Sequence, residues 1–151
     1  MIWVVPFLIF LFIKSETMNK KITFKFFTNN HGFSKGKYKS LNCGLNSKDN
    51  PNHIQSNILK AVNQISKTSK HLVLPNQSHS NKCIIVSKVQ KDYVCDAIVT
   101  NSSKFILGIT TADCLPIIFH DEKKRNIGVC HAGWKGLING IIENTINKMN
   151  Y

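Results

Sequence analysis

The sequence predicts an α/β domain of layered, mixed β-sheets with flanking helices. Short apolar or β-branched runs separated by turn residues recur along the chain, as expected for strands. Two other stretches carry apolar residues at helical spacing. A chain of 151 residues is long enough to bury a substantial core in one domain. We therefore predict a single domain over residues 18–151.

Residues 1–17 begin with the apolar run MIWVVPFLIFLFI, which we predict to lie outside the fold. The run is shorter than the ~20 residues that a helix needs to span a bilayer. It lacks a basic segment before it and a small-residue cleavage site, so it is a poor signal peptide. Because Met18 opens MNKKITFKFF, an ordinary start for a soluble protein, we interpret residues 1–17 as an extension from an upstream start codon. A membrane anchor is the alternative.

The first part of the predicted domain is a strand, a long loop and a helix. Ile22–Phe27 largely alternates apolar and polar residues, which predicts a strand. Residues 28–50 are rich in Gly, Asn and Ser, and loops of this length in compact domains are often functional. Lys37 and Asn42 are candidate ligand-binding residues of this loop, and an ordinary solvated loop is the alternative. An Asn-Pro pair then signals an amphipathic helix over residues 51–66.

The rest of the chain is dominated by predicted strands. The last two of them flank the charged turn DEKKR, which predicts a hairpin. From residue 137 the apolar period changes to that of a helix, and this stripe continues to residue 149. The six strands of this part are predicted at residues 72–74, 83–86, 97–99, 105–110, 115–120 and 126–130.

The chain is strongly basic, with a net charge of +12 at pH 7. Arg125 is the only arginine, and the lysines are scattered along the chain. Nucleic-acid surfaces usually carry arginine clusters or basic residues interleaved with aromatic ones. We therefore predict no specific nucleic-acid partner, and an attraction of small anions such as phosphate instead. A non-catalytic basic binding domain is the alternative.

Cysteine is present five times, without a C-x-x-C pair. An odd number without this motif argues against a disulfide framework and favours a reducing compartment. We therefore expect a cytoplasmic protein. Cys130 lies within an apolar run and is interpreted as a small core residue.

Three residues form the candidate site. Cys114 and His131 each follow a predicted strand, in TADCLP and HAGWKG, and His79 lies in a predicted turn, in NQSHSNK. If the strands are neighbours, the three side chains converge at one rim of the sheet. Two imidazoles and one thiolate suit zinc, and three protein ligands leave an open position, as in catalytic zinc sites. A nucleophilic dyad, with Cys114 attacking and His131 or His79 as the base, uses the same residues and stays open.

Two charged residues flank this constellation. Asp113, next to Cys114, is a candidate for orienting a ligand or a water. Lys135 lies in the glycine-rich turn that opens the last helix, where free N–H groups and the helix dipole favour an anion. Phosphate would suit this turn, and a turn with Trp134 packed on the core is the alternative.

The sequence around these residues resembles a known family. TADCLPIIF followed by GVCHAGWKGLINGIIENTI is highly similar to the laccase-domain family, once named multicopper polyphenol oxidases and later purine nucleoside phosphorylases. The similarity extends upstream through DAIVT, NQSHSNK and GFSKGKYKSLNCGLN, and covers residues 26–149.

The resemblance implies an α/β fold with layered sheets and one zinc ion held by the catalytic residues His79, Cys114 and His131. It also implies phosphorolysis of adenosine, inosine, guanosine and 5′-methylthioadenosine, with adenosine deamination as a second activity. The partners would be purine nucleosides and phosphate, without a membrane. Copper oxidation is not expected, because the chain has six histidines and no His-x-His pair.

The sequence departs from the family pattern in two ways. The first loop and the helix lack arginines that relatives carry, so Lys35, Lys37 or Lys60 would bind phosphate as point charges without a bidentate fork. Family members also continue well past the last helix, so the fold is expected to be incomplete at the C-terminus. We expect a chain of this length, on its own, to be poorly stable and weakly active.

Overall fold

The structure, a computed structural model, describes residues 7–13, 22–67 and 70–150. Its helices are α1 (Pro51–Asn63), α2 (Trp134–Ile138) and α3 (Ile141–Met149). Its strands are β1 (Phe7–Ile13), β2 (Ile22–Phe27), β3 (His71–Val73), β4 (Cys83–Ile85), β5 (Ala97–Thr100), β6 (Phe105–Thr111), β7 (Leu115–Asp121) and β8 (Asn126–Ala132). They form two four-stranded sheets, with the orders β2-β1-β6-β3 and β4-β5-β8-β7. Each sheet combines parallel and antiparallel pairs, which confirms the predicted α/β class with layered mixed sheets.

Three apolar cores separate the layers. Leu107 of β6 and Val129 of β8 belong to the core between the two sheets. Ile106, the neighbour of Leu107, packs in a second core with the apolar face of α1. Cys130, the neighbour of Val129, packs in a third core with Ile141 of α3. Because successive side chains of a strand face opposite sides, the order of layers is α1, first sheet, second sheet, α3.

β1 lies inside the first sheet, between β2 and β6. It pairs antiparallel with both neighbours, over six residue pairs on each side. The prediction that residues 1–17 lie outside the fold is therefore wrong for Phe7–Ile13, because a short continuous apolar run is also typical of a fully buried strand. The origin of residues 1–17 in an upstream start codon stays a prediction. In the part of the chain that the structure describes, none of the helices has the length and apolarity to cross a membrane.

The other predicted elements are confirmed with small shifts. β2 has the predicted bounds, and β7 and β8 form the predicted hairpin. α1 ends at Asn63 instead of residue 66, and the side chain of its N-cap residue Asn50 accepts a hydrogen bond from the Asn52 N–H. The continuous helix expected at the end of the chain is instead α2 and α3. Gly140 separates them in a left-handed conformation (φ 80°) that favours glycine.

The long loop is held onto α1 by the fully buried side chain of Asn57. Its Oδ1 accepts a hydrogen bond from the Phe33 N–H at 2.7 Å. Its Nδ2 donates to the Ser34 hydroxyl at 2.9 Å and to the Asn42 carbonyl oxygen at 2.8 Å. A buried amide with satisfied hydrogen bonds specifies one arrangement of its surroundings. Asn57 thereby fixes the start of residues 42–47, which line the cavity described below.

Candidate metal centre and adjoining cavity

The three predicted ligands lie together at one rim of the core between the sheets. The ligand atoms of His79, Cys114 and His131 all lie within 4.8 Å of one another. The Cys114 Sγ is 3.8 Å from the His79 Nε2, and the two imidazole rings meet edge to face with centroids 4.8 Å apart. His131 is buried, Cys114 is half-buried and His79 is exposed. The cluster is therefore anchored on its buried side and open to solvent on the other.

Three different elements supply these side chains. His131 lies within β8, instead of after it as predicted, and shares the inter-sheet side with Val129 because it is two residues further along the strand. Cys114 lies in the turn that joins β6 to β7. His79 lies in the connection from β3 to β4, as predicted, and has a left-handed backbone with φ 60°. Such a conformation is uncommon for a residue other than glycine and is often found at functional sites.

Asp96, which the sequence patterns did not identify, lies beneath both histidines and is fully buried. Its Oδ1 lies 2.9 Å from the His131 Nδ1 and accepts the His79 N–H at 3.0 Å. Its Oδ2 accepts the Ser80 N–H and hydroxyl, both at 2.7 Å, and the Ser78 N–H at 3.2 Å. Burial by itself raises the pKa of Asp96, but the hydrogen bonds from His131, Ser80 and Ser78 outweigh it and hold that pKa well below its usual value. The carboxylate is therefore ionised at neutral pH.

The surroundings of Cys114 favour metal binding over a nucleophilic thiol. Burial raises the pKa of Cys114, and the nearby Asp113 carboxylate, whose Oδ1 is 3.6 Å from the Sγ, raises it further. A catalytic cysteine instead needs a lowered pKa, from a cationic partner or a helix N-terminus. A metal ion supplies its own charge and deprotonates a coordinating thiol outright. The electrostatics therefore count against the Cys–His dyad.

A cavity of about 290 Å³ adjoins the cluster. The three ligand residues, the loop residues 42–47, the end of β6 and the segment that follows β3 contribute to its walls. Of the other predicted site residues, Asn42 and Asp113 line this cavity. Lys37 and Lys135 are not among the described residues of its walls, and their ammonium groups lie over the rings of Tyr38 and Trp134.

Asn42 shapes the wall of the cavity. Its side-chain Oδ1 accepts the Gly44 N–H at 3.1 Å, and its Nδ2 donates to Ser47 Oγ at 2.9 Å and to Asp49 Oδ2 at 3.0 Å. These bonds occupy both ends of the amide and hold the loop in its turn. A direct contact of the Asn42 side chain with a ligand stays a prediction.

The fold and the site together define a class of α/β proteins with two mixed sheets and a His–Cys–His cluster beside an open cavity. The sequence model of the multi-copper polyphenol oxidoreductase laccase family matches residues 23–151. The chain therefore belongs to this family, as its motifs predict.

Its relatives include proteins named as enzymes. The purine nucleoside phosphorylase of Bacteroides thetaiotaomicron is 30% identical over 81% of this chain and 49% of its own length. The purine nucleoside phosphorylase YlmD of Bacillus subtilis is 32% identical over 82% of this chain and 48% of its own length. The chain thus spans about half the length of the curated relatives it matches.

Solved structures share the fold. The hypothetical protein YfiH of Bacillus licheniformis matches 81% of this chain and 50% of its own length, with a TM-score of 0.74 and 27% identity. YlmD of Geobacillus stearothermophilus matches 75% of this chain and 46% of its own length, with a TM-score of 0.70 and 28% identity. The likeness confirms the architecture at the level of the backbone.

A single cysteine is expected to react with a thiol reagent in the native protein. Burial raises the pKa of Cys43, Cys95 and Cys130 to about 12 and that of Cys83 to about 11. Cys114 is the partly exposed one. We expect iodoacetamide at pH 8 to modify Cys114 of the metal-free protein at least about tenfold faster than any other cysteine, because the thiolate is the reacting form. Peptide mass spectrometry measures this, and a second cysteine reacting at the same rate in folded protein would contradict it.

Because Gly133 has no side chain, His79 and Cys114 can lie close to its backbone. A Cβ at this position would lie 2.8 Å from the His79 Cδ2 and 3.2 Å from the Cys114 Sγ. Since the exposed His79 ring is the part that can move, we expect Gly133→Ala to weaken zinc binding about tenfold, as for a disturbed ligand shell. The free energy of unfolding should change by less than about 1 kcal/mol.

Zinc titration and urea unfolding of Gly133→Ala test this expectation. Gly44→Ala is the matched control, because its added Cβ would meet the Asn42 side chain in the cavity wall, and not the cluster. Equal zinc affinity of the two variants would show that zinc binding does not depend on the space left by the missing side chain of Gly133.

Proposed function

We propose that this chain carries the metal centre and part of the nucleoside site of a zinc-dependent purine nucleoside phosphorylase. The observation that carries the proposal is the cluster of His79, Cys114 and His131 at the mouth of a cavity. It occurs in a chain whose relatives are named purine nucleoside phosphorylases. The proposed substrates are adenosine, inosine, guanosine and 5′-methylthioadenosine with phosphate, and adenosine deamination is the proposed second activity.

The donor set fits zinc. Two imidazole nitrogens and one thiolate are ligands that zinc prefers, and an ion held by three protein ligands would keep a fourth position for a substrate or water. Among the residues that the structure describes, one group of this kind occurs, whereas multicopper oxidation needs several copper ions in close proximity. When bound by His79, Cys114 and His131, the ion would supply a Lewis acid at the cavity mouth.

The cavity suits the neutral part of a nucleoside. Leu45, Leu74 and Pro75 give its walls apolar surface for a purine ring. Asp113 adds a carboxylate that accepts hydrogen bonds, which matches the hydroxyls of a ribose. The volume of about 290 Å³ is at the lower end of the range for small-molecule sites.

Phosphorolysis requires phosphate to lie on the side of the anomeric carbon that faces away from the glycosidic bond. A phosphate oxygen forms a bond to the anomeric carbon while the bond to the purine nitrogen breaks and its electron pair leaves with the base, giving ribose 1-phosphate. The cavity holds the nucleoside in place and so reduces the entropy cost of this encounter. No lysine or arginine is among the described residues that line it, so phosphate binding would need positive charge from basic residues beyond these walls or from an ion held by the three ligands.

Incubation of the purified protein with zinc, adenosine and phosphate tests the proposal. We expect one zinc per chain and a slow, phosphate-dependent release of adenine, with inosine as the product of the second activity. Chromatography of adenine, inosine and hypoxanthine separates the two reactions. A protein that binds one zinc but forms none of these products, or that binds copper in preference to zinc, would overturn the proposal for this chain.

A further inference from the structure

We infer that Asp96 is a positioning residue of this centre, whose single buried carboxylate sets the geometry of both histidine ligands. The inference rests on the proposed metal site. Asp96 precedes β5 and lies 17 residues along the chain from His79 and 35 from His131. The spacing of the three ligands does not indicate that one residue holds both histidines. In the structure, Asp96 contacts both of them.

The contact with His131 selects the tautomer of its imidazole. The Asp96 Oδ1 lies 2.9 Å from the His131 Nδ1, and the same carboxylate accepts hydrogen bonds from three backbone N–H groups and the Ser80 hydroxyl, so it acts as an acceptor. The Nδ1 must therefore carry the hydrogen, which leaves the lone pair of the Nε2 free for a metal ion. A second bond, from the His131 N–H to the Asp96 carbonyl oxygen at 2.7 Å, fixes the two backbones to each other.

The contact with His79 acts through the backbone. The N–H groups of Ser78, His79 and Ser80 all donate to the Asp96 carboxylate, at 3.2, 3.0 and 2.7 Å. Successive N–H groups around a left-handed residue form a concave nest that binds an anion. The left-handed residue is His79, with φ 60°. The buried carboxylate thus offsets the cost of this backbone conformation and holds the exposed imidazole over the cluster.

The two contacts make Asp96 different from the other nearby carboxylate. Asp113 is exposed and touches Cys114 at 3.6 Å, without bonds to either histidine. Outer partners that fix the orientation of metal-binding histidines typically account for about 10- to 100-fold in metal affinity. We expect a loss of this size for Asp96.

Asp96→Asn is the central variant of the test. An amide presents an NH₂ group in place of one carboxylate oxygen, so it cannot accept all the hydrogen bonds from His131 and from the nest. We expect zinc affinity, measured by competition with a chromogenic chelator, to fall about 10- to 100-fold, and the visible spectrum of the cobalt-substituted protein to change. Asp92→Asn is the matched control, because this exposed carboxylate belongs neither to the cluster nor to the cavity wall, and it should bind zinc within about threefold of the wild type.

A measurement on the metal-free wild type covers the case in which Asp96→Asn does not fold. Nitrogen-15 chemical shifts of the neutral His131 ring should place its hydrogen on the Nδ1. The opposite tautomer, or equal zinc affinity of folded Asp96→Asn and wild type, would overturn the inference. A wild type with the expected tautomer that binds no zinc would instead overturn the proposed function, so the two failures are distinguishable.

Discussion

Cys114→Ser is expected to lower zinc affinity at least about 100-fold, more than the loss of an outer hydrogen-bond partner, because it removes a direct ligand. A thiolate is a strong, charged ligand for zinc, whereas a serine hydroxyl stays protonated at neutral pH. The remaining pair, His79 and His131, leaves the ion held by only two protein ligands. The phosphate-dependent release of adenine should disappear with the metal.

Cys43→Ser is the matched control for this variant. Cys43 also lines the cavity, but it is buried and lies outside the cluster. We expect this control to bind one zinc per chain and to lose about 1 kcal/mol of stability through the buried hydroxyl. Metal analysis after gel filtration measures the stoichiometry in both proteins. Full zinc occupancy in Cys114→Ser at micromolar protein would show that the thiol is not a ligand.

Removal of residues 1–17, so that the chain begins at Met18, is expected to destabilise the fold by several kcal/mol. This is a large part of the 5–15 kcal/mol that is usual for a domain of this size. β1 is one of the two inner strands of the first sheet, and its loss leaves β2 without its partner and exposes one edge of β6. Phe24 and Phe26 of β2 are already about half exposed, at 55% and 50%. Unpaired apolar strands of this kind promote aggregation.

Gel filtration and urea unfolding measure this effect. Deletion of residues 1–6 alone is the matched control, because it keeps β1, and the shorter deletion should lower the unfolding midpoint less than the longer one. If the chain that begins at Met18 is monomeric and unfolds at the same urea concentration, β1 is dispensable. The interpretation of the whole N-terminal run as an extension outside the fold would then be restored.

Local patterns were sufficient for elements whose partners are close in sequence. The hairpin of β7 and β8 follows from two apolar runs around one charged turn, and α1 follows from an Asn-Pro start and a helical stripe. The break at Gly140 was not predicted, since an apolar stripe at helical spacing continues in phase across the glycine. Its left-handed φ of 80° depends on the backbone and not on periodicity.

Contacts between residues far apart in the chain explain the remaining differences between the predictions and the structure. The run Phe7–Ile13 has the composition of a buried strand, but its place in the sheet is set by β6 far along the chain. The position of Asp96 is informative in the sequence, because it comes just before an apolar strand. A carboxylate that is buried there needs hydrogen-bond donors. The sequence does not show that those donors are the backbone of His79 and the ring of His131.

The position of β1 also has a consequence during synthesis of the chain. Phe7 pairs with Thr111, so the ribosome completes this apolar strand about a hundred residues before its partner, a delay of roughly 5–20 s at usual rates of elongation. β2, which pairs with one edge of β1 in the folded chain, follows within a short stretch. The other edge stays open until β6 emerges, which makes the nascent chain a candidate client for chaperones that bind extended apolar segments.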